Sequence, residues 1–227
     1  MNRFTLPKLT KFEWALWLGS VSVVLGASLL FQSDDPVNLT ASLVGVTGAI
    51  LMSKGHVLGQ VLSLIFATSY GVISIFFRYY GEVFTSLCMT APIALVSLIN
   101  WIRHPYQGSN EVEISRLTLR QKGAMAVLAV AVTVLSWFVL DWLNTANLLL
   151  STISVTASFV AAYLSACRSA YYALAYACND LTLLGLWISA ALTDVSCVPM
   201  VACMSVFFFN DIYGYVSWKA RRQRQGG

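Results

Sequence analysis

Long apolar runs separated by short polar turns organise this chain. The first covers about residues 14–31 and ends in the turn Gln32-Ser33-Asp34-Asp35-Pro36. Seven more follow at roughly 37–53, 57–77, 83–101, 123–140, 147–167, 171–191 and 196–218. Each approaches the ~20 residues a helix needs to cross a bilayer. Lipid offers no partner to open backbone groups, so the runs must be helices. The pattern predicts an all-α membrane protein with about eight transmembrane helices. The second run is the shortest and is interrupted by Gly45 and Gly48. The first follows a basic lead of Arg3, Lys8 and Lys11. A signal peptide has an apolar core of about 7–15 residues and a small-residue cleavage site. This run is longer and ends in a turn, so it is expected to be retained.

Composition supports a lipid environment. Hydrophobic types make up 58% of the chain and charged types 11%, with a mean hydropathy of +0.71. Soluble domains carry about 25% charged residues. The charges that remain set an orientation. With the N-terminus in the cytoplasm, alternation leaves only Arg78 of the 14 Lys and Arg residues outside. The outer turns hold Asp34, Asp35, Glu82, Asp141 and Asp194. By the positive-inside rule both termini are therefore expected in the cytoplasm. A net charge of +4 can point to nucleic acid, but these loops are too short to build such a domain.

The loop 103–122 is the long exception. Val112, Ile114, Leu117 and Leu119 alternate with polar residues there. It reads either as an interfacial strip or as a linker, and a linker is the preferred expectation. Cys88, Cys167, Cys178, Cys197 and Cys203 are scattered without a CxxC pair, and His56 and His104 lie in separate loops. No metal, disulfide framework or cofactor is expected. No phosphate loop or nucleophile triad is present, so neither an enzyme nor an ATP-driven machine is expected.

An internal repeat divides the chain. Asn38-Leu39 recurs as Asn147-Leu148, and at the same offset Ser42, Val46 and Thr47 match Ser151, Val155 and Thr156. Asn100-Trp101-Ile102 and Asn210-Asp211-Ile212 close the two halves alike. The layout expected is an extra N-terminal helix (1–36), a three-helix repeat (37–102), a cytoplasmic loop with a linker helix (103–146), a second repeat (147–218) and a basic tail (219–227). Four spans separate equivalent helices, so the repeats run parallel. Such repeats are a transporter signature, with a site near mid-membrane between the halves. Pro92 and Pro199, one per half, are hinge candidates because proline frees backbone hydrogen-bonding groups.

Polar residues inside the spans locate candidate chemistry. Asp180 and Asp211 are the acidic residues deep in spans, each after an asparagine, Asn179 and Asn210. Such groups need a reason to be there. Tyr176, Asp180, Leu183 and Trp187 share a helical stripe. Asn210, Tyr213, Gly214 and Ser217 share another. Gln60 and Tyr70 lie on a polar face of the third run, and at the repeat offset Tyr70 corresponds to Asn179. Aromatic faces bind flat rings and cations. Asn and Gln match amides and hydroxyls. Carboxylates favour a positive group. Polar glue between helices is the competing explanation. Ser151, Ser154, Ser158 and Ser165 read as a close-packing stripe. Trp14, Trp17, Trp137, Trp142 and Trp218 read as interfacial belts.

With Asn210-Asp211-Ile212-Tyr213-Gly214-Tyr215-Val216-Ser217-Trp218 before Lys219, and with Asn179-Asp180 through Trp187, the chain resembles the PnuC vitamin transporters of bacteria. That family is similar in its 3+1+3 helices to the sugar facilitators called SWEETs, with one added N-terminal span. The resemblance implies uptake of nicotinamide riboside across the inner membrane by facilitated diffusion, the vitamin being trapped afterwards by phosphorylation. Relatives of the same build carry thiamine or riboflavin. It also implies stacking by Trp187 and Tyr176, amide contacts from Asn179 and Gln60, and ribose contacts from Asn210 or Asn100. The positive charge falls to Asp180 or to cation–π contact alone, and proton coupling stays open. A receptor or scaffold without transport is the rival from another class. The partners expected are a small vitamin, the bilayer and, as an open point, further copies of the chain.

Overall fold

The computed structural model describes residues 6–31, 36–76, 83–145 and 147–226. Arg3, Asp34, Asp35, Arg78 and Glu82, used above for orientation, lie outside the described residues. Eight helices follow one another: α1 (Lys11–Leu30), α2 (Pro36–Ser53), α3 (Val57–Phe76), α4 (Phe84–Arg103), α5 (Leu119–Trp142), α6 (Leu148–Ala166), α7 (Tyr172–Ala191) and α8 (Val198–Arg224). Six are long and apolar enough to cross a membrane. The shorter apolar stretches Leu39–Ser53 and Val57–Ser69 belong to α2 and α3. Extended pairing among the described residues is limited to two isolated bridges, so the protein is an all-α membrane protein.

Local chemistry sets the helix ends. Thr10 caps α1: the Glu13 amide donates to Thr10 Oγ1 at 3.2 Å while the Thr10 amide donates to the Glu13 carboxylate at 2.6 Å. Thr118 and Gln121 form the same reciprocal cap on α5. Each cap satisfies donors that a helix start leaves open. Pro199 falls in the first turn of α8, where the missing N–H costs nothing, whereas Pro92 lies inside α4. Pro92 follows a π-helical stretch, Phe84–Thr90, and Pro199 follows a 3-10 turn, Val195–Cys197. The α2–α3 hairpin closes through Gly55 at φ +64. Next to it, a Cβ on Gly59 would collide with the backbone nitrogen of Met52, so glycine there permits the two helices to touch.

Helices α2–α4 and α6–α8 form two packed groups that meet at two seams, α2 against α8 and α4 against α6. α1 lies against α2 and α8, while α5 packs chiefly on α6. The seams close differently at the two ends. Near the start of α1 and the finish of α8, which we call the basic end, Trp101, Trp218 and Tyr172 form a plug with centroids 4.7–6.4 Å apart. Trp101 and Trp218 are fully buried. Their indole N–H groups donate to the carbonyls of Ser165 at 2.9 Å and Met52 at 2.8 Å. Trp218 is thus a core residue and not part of an aromatic belt. Trp142 is exposed at the opposite end.

The loop before α5 also departs from expectation. It is neither a free linker nor an interfacial strip but a lid on the plug. Val112 is buried in the tryptophan cluster, with Ile114 and Leu117 packed against it. The Val112 amide donates to Gly55 O at 2.9 Å and the Ile114 amide to the side chain of Gln225 at 2.8 Å. Glu111 pairs with Arg221 at 2.6 Å and with Arg224, and Glu113 pairs with Arg168 at 3.5 Å. Val112 and Ile114 stand two residues apart in an extended segment, which turns both to one face.

Candidate functional site

A cavity of about 660 Å³ extends from the middle of the bundle toward the end opposite the basic one. Its walls come from both helix groups and from the end of α5. Within the first group, α2 contributes Ser42 and Gly45, α3 Ser63 and Phe66, and α4 Thr85 and Thr90. In the second, α6 contributes Ser151, Ser154 and Ser158, α7 contributes Tyr176, Asn179, Asp180, Leu183 and Trp187, and α8 contributes Cys203, Phe207 and Asp211. Among the described residues, no Lys, Arg or His lines it.

The α7 stripe expected from helical spacing therefore faces the cavity. Asn179 is buried, and its side-chain carbonyl accepts from Ser154 Oγ at 2.9 Å, which leaves its amide N–H groups as the donors available to a ligand. Asp180 is only 6% exposed, and one of its carboxylate oxygens has no hydrogen-bond partner. Its carboxyl meets that of Asp211 across the α7–α8 contact. Phe66 and Phe207 face each other at 6.2 Å. Gly45 makes room for them: a Cβ there would sit 2.8 Å from the Phe207 ring and 3.3 Å from Phe66.

Other sequence candidates lie elsewhere. Gln60 donates to Ser165 Oγ at 2.7 Å, joining α3 to α6. Asn100 donates to Ala166 O at 2.6 Å, joining α4 to the end of α6. Asn210 donates to Ser20 Oγ at 2.9 Å, joining α8 to α1. None of the three lines the cavity. The side chain of Tyr70 lies outside the described residues. The stripe of Asn210, Tyr213, Gly214 and Ser217 faces helices: Tyr213 OH donates to Glu13 at 2.8 Å and Ser217 Oγ to Ser53 O at 2.8 Å. Asp211, one residue further round, turns to the cavity.

Sequence reasoning read the α6 serines as packing only, yet Ser151, Ser154 and Ser158 line the cavity. Their spacing was visible; what was missing was that Asn179 stands opposite. Phe66, Phe207 and Gly45 were not singled out for a site at all. Two ring-bearing positions on different helices and one glycine have no shared sequence pattern.

Residues 35–220 match the family described as the nicotinamide mononucleotide transporter. A relative from Neisseria mucosa, named nicotinamide riboside transporter PnuC, is 28% identical over 96% of this chain and 84% of its own length. A solved structure described as that of the vitamin B3 transporter PnuC superposes with a TM-score of 0.78 at 24% identity, over 99% of this chain and 97% of the other.

Proposed function

Because this chain belongs to the nicotinamide mononucleotide transporter family, we propose that it carries nicotinamide riboside into the bacterial cell, down its gradient and by alternating access. The observation that supports this best is the α7 wall of the cavity. Trp187 and Tyr176 offer faces to a flat pyridinium ring, Asn179 offers its amide to a carboxamide, and the acidic side chains of Asp180 and Asp211 on the same wall suit a positive charge. Among the described residues, no cationic side chain lines the cavity to attract a phosphate. Thiamine is the second reading, because it also carries a permanently charged ring. Riboflavin, which is neutral, lacks a use for the carboxyl pair.

In this reading α2–α4 and α6–α8 are the parallel repeats that rock about the site. The π-helical stretch before Pro92 and the 3-10 turn before Pro199 serve as flexing points at matching places. Both termini face the cytoplasm of an inner membrane, so the basic end is the inner end and the cavity extends toward the outside.

Calorimetry on the purified protein tests the substrate. Nicotinamide riboside is expected to bind; heat from riboflavin alone, or from none of the three vitamins, would overturn the assignment. Trp187→Ala is expected to weaken binding by about 1 kcal/mol, roughly fivefold, if the ring stacks. An unchanged Kd would remove Trp187 from the site.

A further inference from the structure

A second hollow, of about 440 Å³, opens at the basic end, with Lys54, His56, Asn110, Glu111 and Arg224 among its walls. Lys54 and His56 flank Gly55, and Glu111 precedes Val112. The hollow therefore starts where the Val112 amide of the lid meets Gly55 O at 2.9 Å. On the far side of the plug, Met52 and Tyr176 pack against the same aromatic cluster and line the large cavity. Plug and lid thus form the partition between two hollows.

The lid is tied to the two helix groups in different ways. Toward α2–α4 the ties are backbone bonds: Val112 to Gly55 O, and the Glu113 amide to His104 O at 2.9 Å, one residue past α4. The Tyr106 amide also donates to Glu111 O at 2.8 Å, which folds the lid onto itself. Toward α6–α8 the ties of residues 111–114 are made by side chains. Glu111 pairs with Arg221 at 2.6 Å and with Arg224, Glu113 pairs with Arg168 at 3.5 Å, and the Ile114 amide donates to the side chain of Gln225 at 2.8 Å. A backbone tie to that group follows at Ser115, whose amide donates to Arg168 O at 3.0 Å. Residues 111–114 therefore cross from one group to the other. Ion pairs suit a joint that breaks and re-forms. The Glu111 side chain is 30% exposed and that of Arg224 59%, so charges that part return to water. Such pairs are weak enough to open in every cycle.

We propose that residues 111–114 are the inner latch of the transport path and that the smaller hollow is its exit vestibule. This rests on the reading that the two helix groups rock about a central site. While Glu111 holds Arg221 and Arg224, the groups are clamped at the basic end and the cavity opens only toward the other. When the groups part, the lid travels with α2–α4 on its backbone bonds. Glu111 releases the arginines, Val112 leaves the tryptophan cluster, and the ligand passes Met52 into the vestibule. Glu111 is a positioning residue that acts through the lid. The latch uses no gradient; it sets how often the inner end opens, in keeping with downhill carriage.

The test uses the full chain with its five cysteines replaced by serine. Met52→Cys is the reporter, in inside-out membrane vesicles that present the basic end to a membrane-impermeant maleimide. Labelling is expected to be slow with the latch intact and about fivefold faster with Glu111→Gln. An unchanged labelling rate overturns the latch. A second protein carries Glu111→Cys and Arg221→Cys, bridged before reconstitution by a short methanethiosulfonate linker that a reductant cleaves. The bridged protein is expected to bind labelled nicotinamide riboside with an unchanged Kd, yet to show no uptake into proteoliposomes until the reductant is added. Uptake that continues across the bridge overturns the proposal. If neither form binds nicotinamide riboside, the substrate assignment fails, and the labelling of the Met52→Cys reporter still decides the latch.

Discussion

Trp218→Ala is expected to lower the apparent thermal midpoint of the purified protein by about 6–12 °C. Trp218 is fully buried against Trp101 at 5.2 Å and Tyr172 at 4.7 Å. Truncating it opens a cavity at the junction of α2, α4, α7, α8 and the lid loop. It also deprives Met52 O of its 2.8 Å donor. Loss of a buried tryptophan costs about 3 kcal/mol or more, and each kcal/mol shifts the midpoint of a chain this size by about 2–4 °C. Between helices in lipid the apolar driving force is packing rather than exclusion of water. A packing defect at the plug is therefore not offset by simple re-solvation. Trp142→Ala serves as the contrast: that ring is 80% exposed, and its loss should leave the midpoint nearly unchanged. Equal shifts for the two variants would refute the distinction.

Glu13→Ala should destabilise by about 3 kcal/mol through a different route. Glu13 is 2% exposed and ties three elements together: it pairs with Lys54 at 3.1 Å, accepts from Tyr213 OH at 2.8 Å and closes the Thr10 cap. Removing it leaves the largely buried Lys54 charge without its partner, the expensive way to break a buried pair. Removing both partners should be cheaper. In a double-mutant cycle on thermal stability, Glu13→Ala with Lys54→Ala is expected to recover about 1.5 kcal/mol relative to additivity. Strict additivity would mean that the pair contributes nothing beyond the cap. Selective loosening of α1 is also expected, because its ties to the rest of the bundle include only neutral hydrogen bonds such as Trp17 Nε1 to Thr47 at 3.2 Å and Asn210 to Ser20 at 2.9 Å beside this ion pair.

The helices were legible because membrane spans are written in local composition. Their ends were less so. α5 begins at Leu119, earlier than its apolar run, because Thr118 and Gln121 cap it. α8 continues to Arg224, past its apolar run, because basic residues suit a helix C-terminus and Glu111 holds two of them. The α7 wall was legible because Tyr176, Asp180, Leu183 and Trp187 obey one helical period. Gln60, Asn100 and Asn210 look the same in sequence whether they face a ligand or a neighbouring helix. Their roles follow from Ser165, Ala166 and Ser20, which stand far away in the chain. The lid loop shows the same boundary: its alternation was visible, whereas Gly55 and Gln225, which receive it, were not.

The sparse packing of α5 carries an evolutionary consequence. Held chiefly to α6, with Thr133 bonded to Thr156 at 2.8 Å and Val127, Val130 and Phe138 exposed, it has to satisfy length, greasiness and one narrow seam. Descendants of this chain can therefore let the outward face of that helix drift in sequence while the cavity walls, Leu140 at its end included, stay constrained. For a protein engineer, the same outward face is where a fluorophore or spin label would ride without disturbing the machinery.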